Sequence, residues 1–387
     1  MCEPPSELEP EEDEPFIREP FDPSKISIKL WQPTVDLLMK RILENELDLE
    51  PDFQRKAGLW KAGPKSRLIE SLLVRIPLPA FYLDCTDEER LVVVDGLQRL
   101  TALKEFLVDK TLRLCELEFL GPELDGKTYD ELPRAYRRRI EETQLAVFQI
   151  ERGTPEEVKF NIFKRINTGG LPLSPQEIRH ALNAGPARIL LKRLAESPAF
   201  KEATAGGVPN ERMADREMIL RFFAFFLFDP LAPQTDSVGD FDLFLNKAFK
   251  TLNERVAMHS ELESLCLRVL GDAFALFGNR AFRKWYHKDE SRSPVNKALF
   301  EAWTVGLSRL DSADIERLRD RKEALQQGFR ELMATPDFVA AVSASTGDPN
   351  KIRLRFGRIQ RLIARTLANE QPSDLGDVVP SDLGGAK

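Results

Sequence analysis

The residues from Asp95 to Thr101 have types and a spacing that suit the binding of a phosphate group. The apolar run Arg90–Val94 before them predicts a buried strand. The leucines that follow from position 100 onward share one face of a predicted helix. A glycine turn between strand and helix points backbone N–H groups and the positive end of the helix dipole at an anion.

Five residues of this turn are predicted to take a direct part in binding or catalysis. Gly96, Arg99 and Thr101 are predicted to bind the phosphate group, with Arg99 adding a two-pronged contact to it. Asp95 and Gln98 are the predicted catalytic residues, because a carboxylate can orient a metal-bound water or a ribose hydroxyl and an amide can position a water or a base. A structural alternative stays open, in which Asp95 caps the helix and Gly96 permits the turn.

Four residues elsewhere in the chain are further candidate site residues. Gln54 and Arg55 follow a predicted strand, and the local pattern by itself predicts an exposed turn there. Arg165 and Asn167 are predicted to contact the nucleotide or a partner from further out. The alternative for this second pair is a helix C-terminus with a cation near the negative end of the dipole.

Two basic stretches raise the prospect of DNA binding. Residues 134–139 include four arginines, and residues 351–365 include six basic residues and no acidic one. In the second stretch an apolar stripe leaves the basic residues on a flank, as in a helix that follows a phosphate backbone. Such a helix would equally suit docking against an acidic tail. The predicted DNA contacts are Arg137, Arg138, Arg355 and Arg358.

The composition is that of an ordinary soluble protein, with 387 residues, 42% hydrophobic and 31% charged. We find no apolar run of membrane-spanning length and no secretory signal, so we expect no membrane association. The cysteines are scattered, which predicts buried thiols in a reducing cytoplasm and no metal site. These cysteines are Cys2, Cys85, Cys115 and Cys266.

The net charge of −7 comes from one end of the chain. Residues 1–20 hold eight acidic residues and one arginine, so the remaining residues are neutral overall. This stretch is rich in Pro and Glu and is predicted to be a disordered acidic tail. A solubilising role is the simpler interpretation, and guarding a basic groove is the alternative.

The pattern of the chain predicts an α+β protein with two domains. Residues 21–175 alternate short strands and helices, including an antiparallel pair from residues 81–83 and 92–94 and further strands near residues 112–117 and 146–150. Residues 176–368 carry long amphipathic segments, residues 315–333 among them, and predict an all-helical domain. The phenylalanine cluster at residues 222–226 is predicted to lie in its core. Residues 369–387 lose this periodicity and predict a loose tail. Ser174 and Glu177 form a capping box at the start of a helix.

A series of motifs between residues 28 and 185 resembles the N-terminal domain of GmrSD-type modification-dependent restriction systems of bacteria. The family's hallmark is Asp-Gly-Gln-Gln-Arg followed by Thr, preceded by a Phe-Gln-Arg block and a Trp. The matching blocks, in order, are Phe53–Arg55 with Trp60, residues 68–71, residues 76–79, Asp95–Thr101, residues 163–170 and residues 172–179.

The resemblance implies a fold like that of ParB nucleotide-binding domains and sulfiredoxin, in which a Gly-x-x-Arg turn lies under the phosphates of a nucleotide. Gly96–Arg99 matches that turn. The resemblance also implies that Gln54 and Arg55 approach the pocket from a neighbouring loop, as a second anion clamp. Leu97 stands where sulfiredoxin has its reactive cysteine, so thiol chemistry is not expected. It also replaces the first glutamine of the family's hallmark, which puts hydrolysis in doubt.

The function implied by the resemblance is nucleoside triphosphate binding, with hydrolysis, in a DNA-associated defence protein. The base of the nucleotide is not predicted, and Mg²⁺ is a candidate companion ion. The alternative is a non-hydrolysing subunit, gated by nucleotide, that binds DNA or signals to a separate nuclease. A self-contained nuclease is not expected, because the three histidines form no His-Asn-His constellation. The oligomeric state is not predicted.

Overall fold

The computed structural model describes residues 7–9, 26–49, 60–86, 91–166, 174–231 and 240–369. The chain divides into two compact units. One comprises Glu19–Ala184 with Glu211–Met213, and it contains the described strands of the sheet. The other comprises Met1–Arg18, Gly185–Asn210 and Ala214–Lys387, and its regular elements are helices. The predicted α+β class is confirmed.

The first unit is built on a five-stranded mixed sheet with the order β1-β5-β3-β4-β2. Strands β3 and β4 pair antiparallel, as predicted, whereas β5–β3 and β2–β4 are parallel pairs. The strands are β1 (Ile28–Trp31), β2 (Leu47–Asp48), β3 (Phe81–Asp84), β4 (Leu91–Asp95) and β5 (Val147–Ile150).

Helices cover both faces of this sheet. Side chains alternate along the strands, so Val93 packs into the larger apolar core with α1–α3, and Val94 packs into a smaller core with Phe160 and Ile178 of α6 and α7. Both halves of the predicted capping box at α7 are present. The helices are α1 (Val35–Leu43), α2 (Ala62–Leu73), α3 (Leu97–Leu107), α4 (Gly121–Leu124), α5 (Arg134–Glu141), α6 (Glu156–Ile166) and α7 (Pro175–Leu182).

The predicted strand near residues 112–117 is wrong. Leu112 and Leu114 are buried in the larger core, but the backbone of Leu114 bonds locally, with Lys127 O and Gly126 N. Alternating leucines here cover a core from a folded loop instead of joining the sheet, because an apolar alternation specifies burial and not the partner of the backbone.

The helical unit packs around a core rich in phenylalanine. Phe222, Phe223 and Phe225 of α10 are buried in it, as the sequence predicts. The predicted continuous helix over residues 315–333 is instead two helices, which meet at Arg321. The helices are α8 (Pro186–Ala195), α9 (Pro198–Ala203), α10 (Ala214–Leu227), α11 (Phe241–Glu254), α12 (His259–Phe277), α13 (Lys297–Ser308), α14 (Ser312–Asp320), α15 (Lys322–Met333), α16 (Pro336–Ser343) and α17 (Pro349–Ala368).

Residues 7–9 are ordered against the helical unit, which corrects the predicted disorder for these three residues of the acidic tail. Leu8 forms a parallel bridge with Val295, and its side chain packs against the helical core. The other residues of 1–20, and residues 370–387, lie outside the described part of the chain.

Candidate functional site

The turn between β4 and α3 depends on glycine for two separate reasons. Gly96 is the N-cap residue of α3 and has φ +98°, in the left-handed region that side chains disfavour. A Cβ atom at this position would also lie 2.4 Å from Cδ1 of Phe81. The N-cap residue is therefore Gly96 and not Asp95, and within the described part of the chain no side-chain hydrogen bond caps α3. The first backbone N–H groups of α3 thus begin without a side-chain cap.

Arg99 lies one turn into α3 with its guanidinium directed at the protein itself. Its Nη2 donates to Asp95 Oδ2 at 2.8 Å and to Ala80 O at 3.2 Å, and its Nη1 donates to Pro79 O. The guanidinium carbon lies 4.4 Å from the centre of the Phe81 ring. Arg99 is only 9% exposed. This arrangement differs from the predicted two-pronged phosphate contact and makes Arg99 a residue that holds the turn together.

The electrostatics of this pair follow from its burial. Desolvation lowers the pKa of Arg99, while the adjacent Asp95 carboxylate acts in the opposite direction. An arginine stays charged at neutral pH even when its pKa falls somewhat, so Asp95 has a permanent cation beside it. The Asp95 side chain remains 29% exposed. It is the more accessible member of the pair.

The other predicted residues of the turn have mixed outcomes. Gln98 Oε1 accepts a hydrogen bond from the Trp60 backbone N–H at 3.3 Å. This bond links the residues just before α2 to α3. Thr101 is half-buried on α3. Leu97 is 7% exposed and belongs to the larger apolar core. A core position for this side chain explains why an apolar residue is stable where the family's hallmark has glutamine.

Several predicted residues fall in parts of the chain that the structure does not describe. Gln54, Arg55 and Asn167 lie outside the described residues, and the side chain of Arg165 does as well, although its backbone belongs to α6. The structure therefore brings Asp95, Gly96, Gln98, Arg99 and Thr101 together around one turn. The convergence of the other loops on it stays a prediction.

Comparison with known proteins identifies this unit. The profile of the family described as "GmrSD restriction endonuclease, N-terminal domain" matches residues 38–183. After this match, we refer to residues 38–183 as the GmrSD N-terminal domain. Searches of the curated proteins and of the solved structures give no match. No helix in the described part of the chain is long and apolar enough to cross a membrane.

Sequence reasoning missed a buried ion pair in the GmrSD N-terminal domain. Lys159 of α6 lies 3.3 Å from Asp84 Oδ2 at the end of β3, and its Nζ also donates to the hydroxyl of Thr86. Both charged side chains are at most a tenth exposed. The raised pKa of Cys85, to about 11, results from burial and from the Asp84 charge. Lys159 stands between Val158 and Phe160, so the apolar pattern gave no signal for a buried charge.

Helix α7 presents a second group of buried polar side chains in this domain. Arg179 Nη1 donates to Gln176 Oε1 at 2.9 Å, and the Arg179 guanidinium lies 5.7 Å from the centre of the Phe160 ring. His180 is fully buried beside them. Glu177 completes the capping box through Ser174. The resemblance includes this segment among its motifs, and the structure gives these residues a packing role between α6, α7 and β4.

The predicted DNA contacts on α5 lie at the surface of the GmrSD N-terminal domain. Arg138 is exposed and Arg137 is half-buried. A shallow depression beside them is lined by Arg75, Arg138, Arg139 and Glu142, among others. Three arginines against one glutamate give this depression a positive charge.

The predicted contacts on α17 are not on an exposed basic flank. Arg355 is 0% exposed, with Nη2 2.6 Å from Glu301 Oε2 and Nη1 donating to Thr346 O. The prediction of a DNA contact at Arg355 is therefore wrong, because its charge is neutralised inside the helical unit. Arg358 is partly exposed and pairs with Asp337 at 2.9 Å. Helix α17 consequently shows less free charge than its sequence suggests.

Proposed function

We propose that this chain acts in a restriction-type defence against foreign DNA, and that its GmrSD N-terminal domain binds the phosphates of a nucleotide at the start of α3. The family match supports the restriction context. The observation that carries the nucleotide proposal is the helix N-terminus after Gly96, to which the described residues provide no side-chain cap. Free N–H groups and the helix dipole there favour a phosphate.

In this proposal the phosphates contact backbone amides of Leu97 and Gln98, and Arg99 has a positioning role. The Arg99 contacts with Asp95, Pro79 O and Ala80 O fix the turn that aims those amides. The described residues of the turn offer one carboxylate, Asp95, and it is already paired with Arg99. A Mg²⁺ site on that carboxylate does not fit this arrangement, so we derive no step through a metal.

Substitution of one amide tests the phosphate site. Proline is tolerated in the first turn of a helix but has no N–H. Gln98→Pro therefore removes a proposed phosphate donor, whereas the control Gln98→Ala removes only the side chain. We expect calorimetric titration with ATP, GTP and CTP to show binding of at least one nucleotide by the parent and by Gln98→Ala. We expect the affinity of Gln98→Pro to fall by about tenfold or more, the loss of one charge-assisted hydrogen bond.

Absence of binding by the parent with all three nucleotides would overturn the proposal. Equal affinities of the proline and alanine variants would move the site away from the amides. Far-ultraviolet circular dichroism on both variants checks that α3 still forms.

Binding without turnover is the form of this function that the side chains favour. Leu97 is a core residue, Gln98 Oε1 accepts from Trp60, and Asp95 is paired. None of the three is thereby poised to activate a water. We expect no phosphate release with any triphosphate, with or without DNA. Release that disappears in Asp95→Asn would instead establish a triphosphatase, the second candidate, which the partial exposure of Asp95 supports.

We further propose that DNA is contacted through α5, and that cleavage belongs to a separate nuclease partner. The support is the positive depression lined by Arg75, Arg138 and Arg139. Arg138→Glu should weaken duplex DNA binding by about three- to tenfold at low salt and reduce its salt dependence. The control Arg361→Glu makes the same charge change at an exposed position of α17. Equal effects of both variants, measured by fluorescence anisotropy, would assign the binding to net charge alone.

A further inference from the structure

Residues 7–9 bind the helical unit as a short added strand. The Glu7 N–H donates to Gly207 O at 3.1 Å and the Glu9 N–H donates to Val295 O at 2.9 Å. In return, the Val295 N–H donates to Glu7 O at 2.6 Å. Val295 also bridges Arg283 on its other side. Main-chain pairing of this kind is how sheet edges capture extended peptides.

The Glu7 carboxylate occupies a site made of two arginines. Nη2 of Arg292 donates to its two oxygens at 2.6 and 2.8 Å, and Nη2 of Arg283 lies 2.9 Å from Oε2. Arg283 is 1% exposed, and its other contacts include the carbonyls of Thr204 and Ser293. Among the described residues, Glu7 is the carboxylate paired with Arg283. Without it, a buried guanidinium would lose its counter-charge, which is strongly unfavourable.

The two following side chains have sites of their own. Leu8 packs against the helical core. Glu9 accepts hydrogen bonds from Lys284 Nζ and from Asn296 Nδ2, the latter at 2.9 Å. Lys284 is held in place by Ser343 Oγ at 2.7 Å, and Asn296 by Val342 O at 2.7 Å. The helical unit thus provides an anionic site, an apolar site and a second anionic site in succession.

Gly207 provides the space for this arrangement. A Cβ atom at position 207 would lie 2.7 Å from Nη2 of Arg283 and 3.1 Å from Cβ of Glu7. A side chain here would press on both partners of the ion pair. The absence of a Cβ at Gly207 is therefore part of the site, independently of any charge.

We propose that this acidic-peptide cleft is a binding site for an extended acid–apolar–acid peptide and that Glu7–Glu9 fill it in cis, so that an acidic segment of a protein partner binds by displacing them. The cleft is formed by Gly207, Arg283, Lys284, Arg292, Val295 and Asn296. This inference does not depend on nucleotide binding by the other unit.

A peptide fits these contacts better than a nucleic acid does. A phosphate backbone could satisfy Arg283, Arg292 and Lys284, but it has no N–H and C=O groups to pair with Val295 and Gly207. It also has no apolar group at the spacing of Leu8. Recognition that combines main-chain pairing with alternate side-chain sites is characteristic of strand addition.

Hydrogen exchange on the full chain tests the cis contact. We compare the parent with Glu7→Gln/Leu8→Ala/Glu9→Gln and, separately, with Gly207→Ala, which leaves every carboxylate in place. We expect the amide of Val295 to exchange about tenfold faster or more in both variants, since each opens its hydrogen bond to Glu7. Glu11→Gln/Glu12→Gln removes the same charge from a neighbouring stretch, and Gly357→Ala adds a methyl group where nothing lies within 4 Å. Both controls should exchange like the parent.

Binding in trans tests the specificity. The probe is a fluorescent peptide of residues 1–20, titrated by anisotropy against the parent and the triple variant. The parent should bind the peptide at least about tenfold more weakly than the triple variant does, because the parent's own Glu7–Glu9 segment occupies the cleft most of the time. A Leu8→Ser peptide keeps the charge and loses the apolar contact, and we expect it to bind the triple variant much more weakly. A single-stranded oligonucleotide serves as the polyanion competitor.

Three results would overturn the proposal. One is unchanged exchange of the Val295 amide in both the triple variant and Gly207→Ala. Another is a lack of peptide binding by the triple variant. The third is equal binding of the Leu8→Ser peptide together with displacement by the oligonucleotide, which would make the cleft a nucleic acid site.

Discussion

The motif around Arg99 predicts one role for this residue, and its contacts in the structure indicate another. Its motif suggests a phosphate ligand, yet its guanidinium is engaged by Asp95, by two carbonyls and by the Phe81 ring. The strand–turn–helix order around it was predictable from the apolar pattern. The direction of the Arg99 guanidinium was not predictable, because the carbonyls of Pro79 and Ala80 that it contacts lie just before a different strand, β3.

Loss of the Arg99 side chain should therefore affect stability. We expect Arg99→Ala to lower the free energy of unfolding by about 3 kcal/mol, because a largely buried pair is broken and carbonyls lose donors. Urea denaturation of Arg99→Ala, Asp95→Ala and the double variant measures this loss and the coupling between the two residues. A coupling energy of about 1–3 kcal/mol is expected for partners in contact, and a value near zero would contradict the pairing.

Glu70 shows that a residue in a family motif can have a structural role. Its Oε1 accepts from the N–H groups of Phe119 and Leu120, and its Oε2 from that of Glu118. Burial raises the pKa of Glu70, but the three backbone hydrogen bonds outweigh burial and leave the pKa below its ordinary value. The carboxylate thus organises the loop that precedes α4.

The stability provided by Glu70 should depend on pH. Because its folded-state pKa is lowered, the ionised form stabilises the fold above the unfolded pKa of about 4.3. This contribution is lost as the pH falls through the folded-state value. We expect Glu70→Gln to be less stable than the parent at pH 7 by about 2 kcal/mol, with the difference shrinking below pH 4. The exposed control Glu118→Gln should show little effect at either pH, and a pH-independent difference would contradict the mechanism.

At the scale of elements, the β4–α3 turn combines a backbone requirement and a packing requirement at Gly96. Gly126 has a similar φ of +82°, but nothing lies within 4 Å of a Cβ built on it. Comparing the same substitution at the two glycines therefore separates the cost of backbone strain from the cost of steric crowding.

We expect Gly96→Ala to destabilise the protein by about 3 kcal/mol, from left-handed strain and the clash with Phe81 together. Gly126→Ala should cost only about 1 kcal/mol, from strain alone. Thermal unfolding of both variants measures the difference. Similar losses would mean that Phe81 moves aside without cost.

Elements with a strong local signal were predicted well, and those that depend on distant partners were not. The capping box at Ser174, the β3–β4 pair and the phenylalanine core of α10 all followed from short patterns. The division at Arg321 did not, because that residue is held by the carbonyls of Thr366 and Leu367, some forty-five residues away. A basic stripe on α17 was likewise misinterpreted, since only the fold reveals that Glu301 meets Arg355.

At the scale of the whole molecule, the two units have separate cores with different polar content. Inside the helical unit, Glu301 is 0% exposed and accepts from Arg221 Nη1 at 2.8 Å and from Arg355 Nη2 at 2.6 Å. One carboxylate thus joins α10, α13 and α17.

Glu301→Gln should weaken the helical unit by about 3 kcal/mol, since Arg355 loses its buried anion while Arg221 keeps its pair with Glu217 at 2.7 Å. Hydrogen exchange should then accelerate in α10, α13 and α17, while β3, β4 and α3 keep their protection. Arg358→Gln, which breaks the partly exposed pair with Asp337, should cost at most about 1 kcal/mol. Equal acceleration of hydrogen exchange in both units would contradict the expectation that the two cores lose protection separately.

The double requirement at Gly96 limits how this protein can be altered by laboratory evolution. If the turn were randomised and stable variants selected, position 96 should return glycine alone, because even asparagine, which tolerates left-handed backbone, carries a Cβ that Phe81 leaves no room for. Position 126 should accept asparagine and aspartate. Any change in ligand preference at this turn would then have to come from its flanking residues.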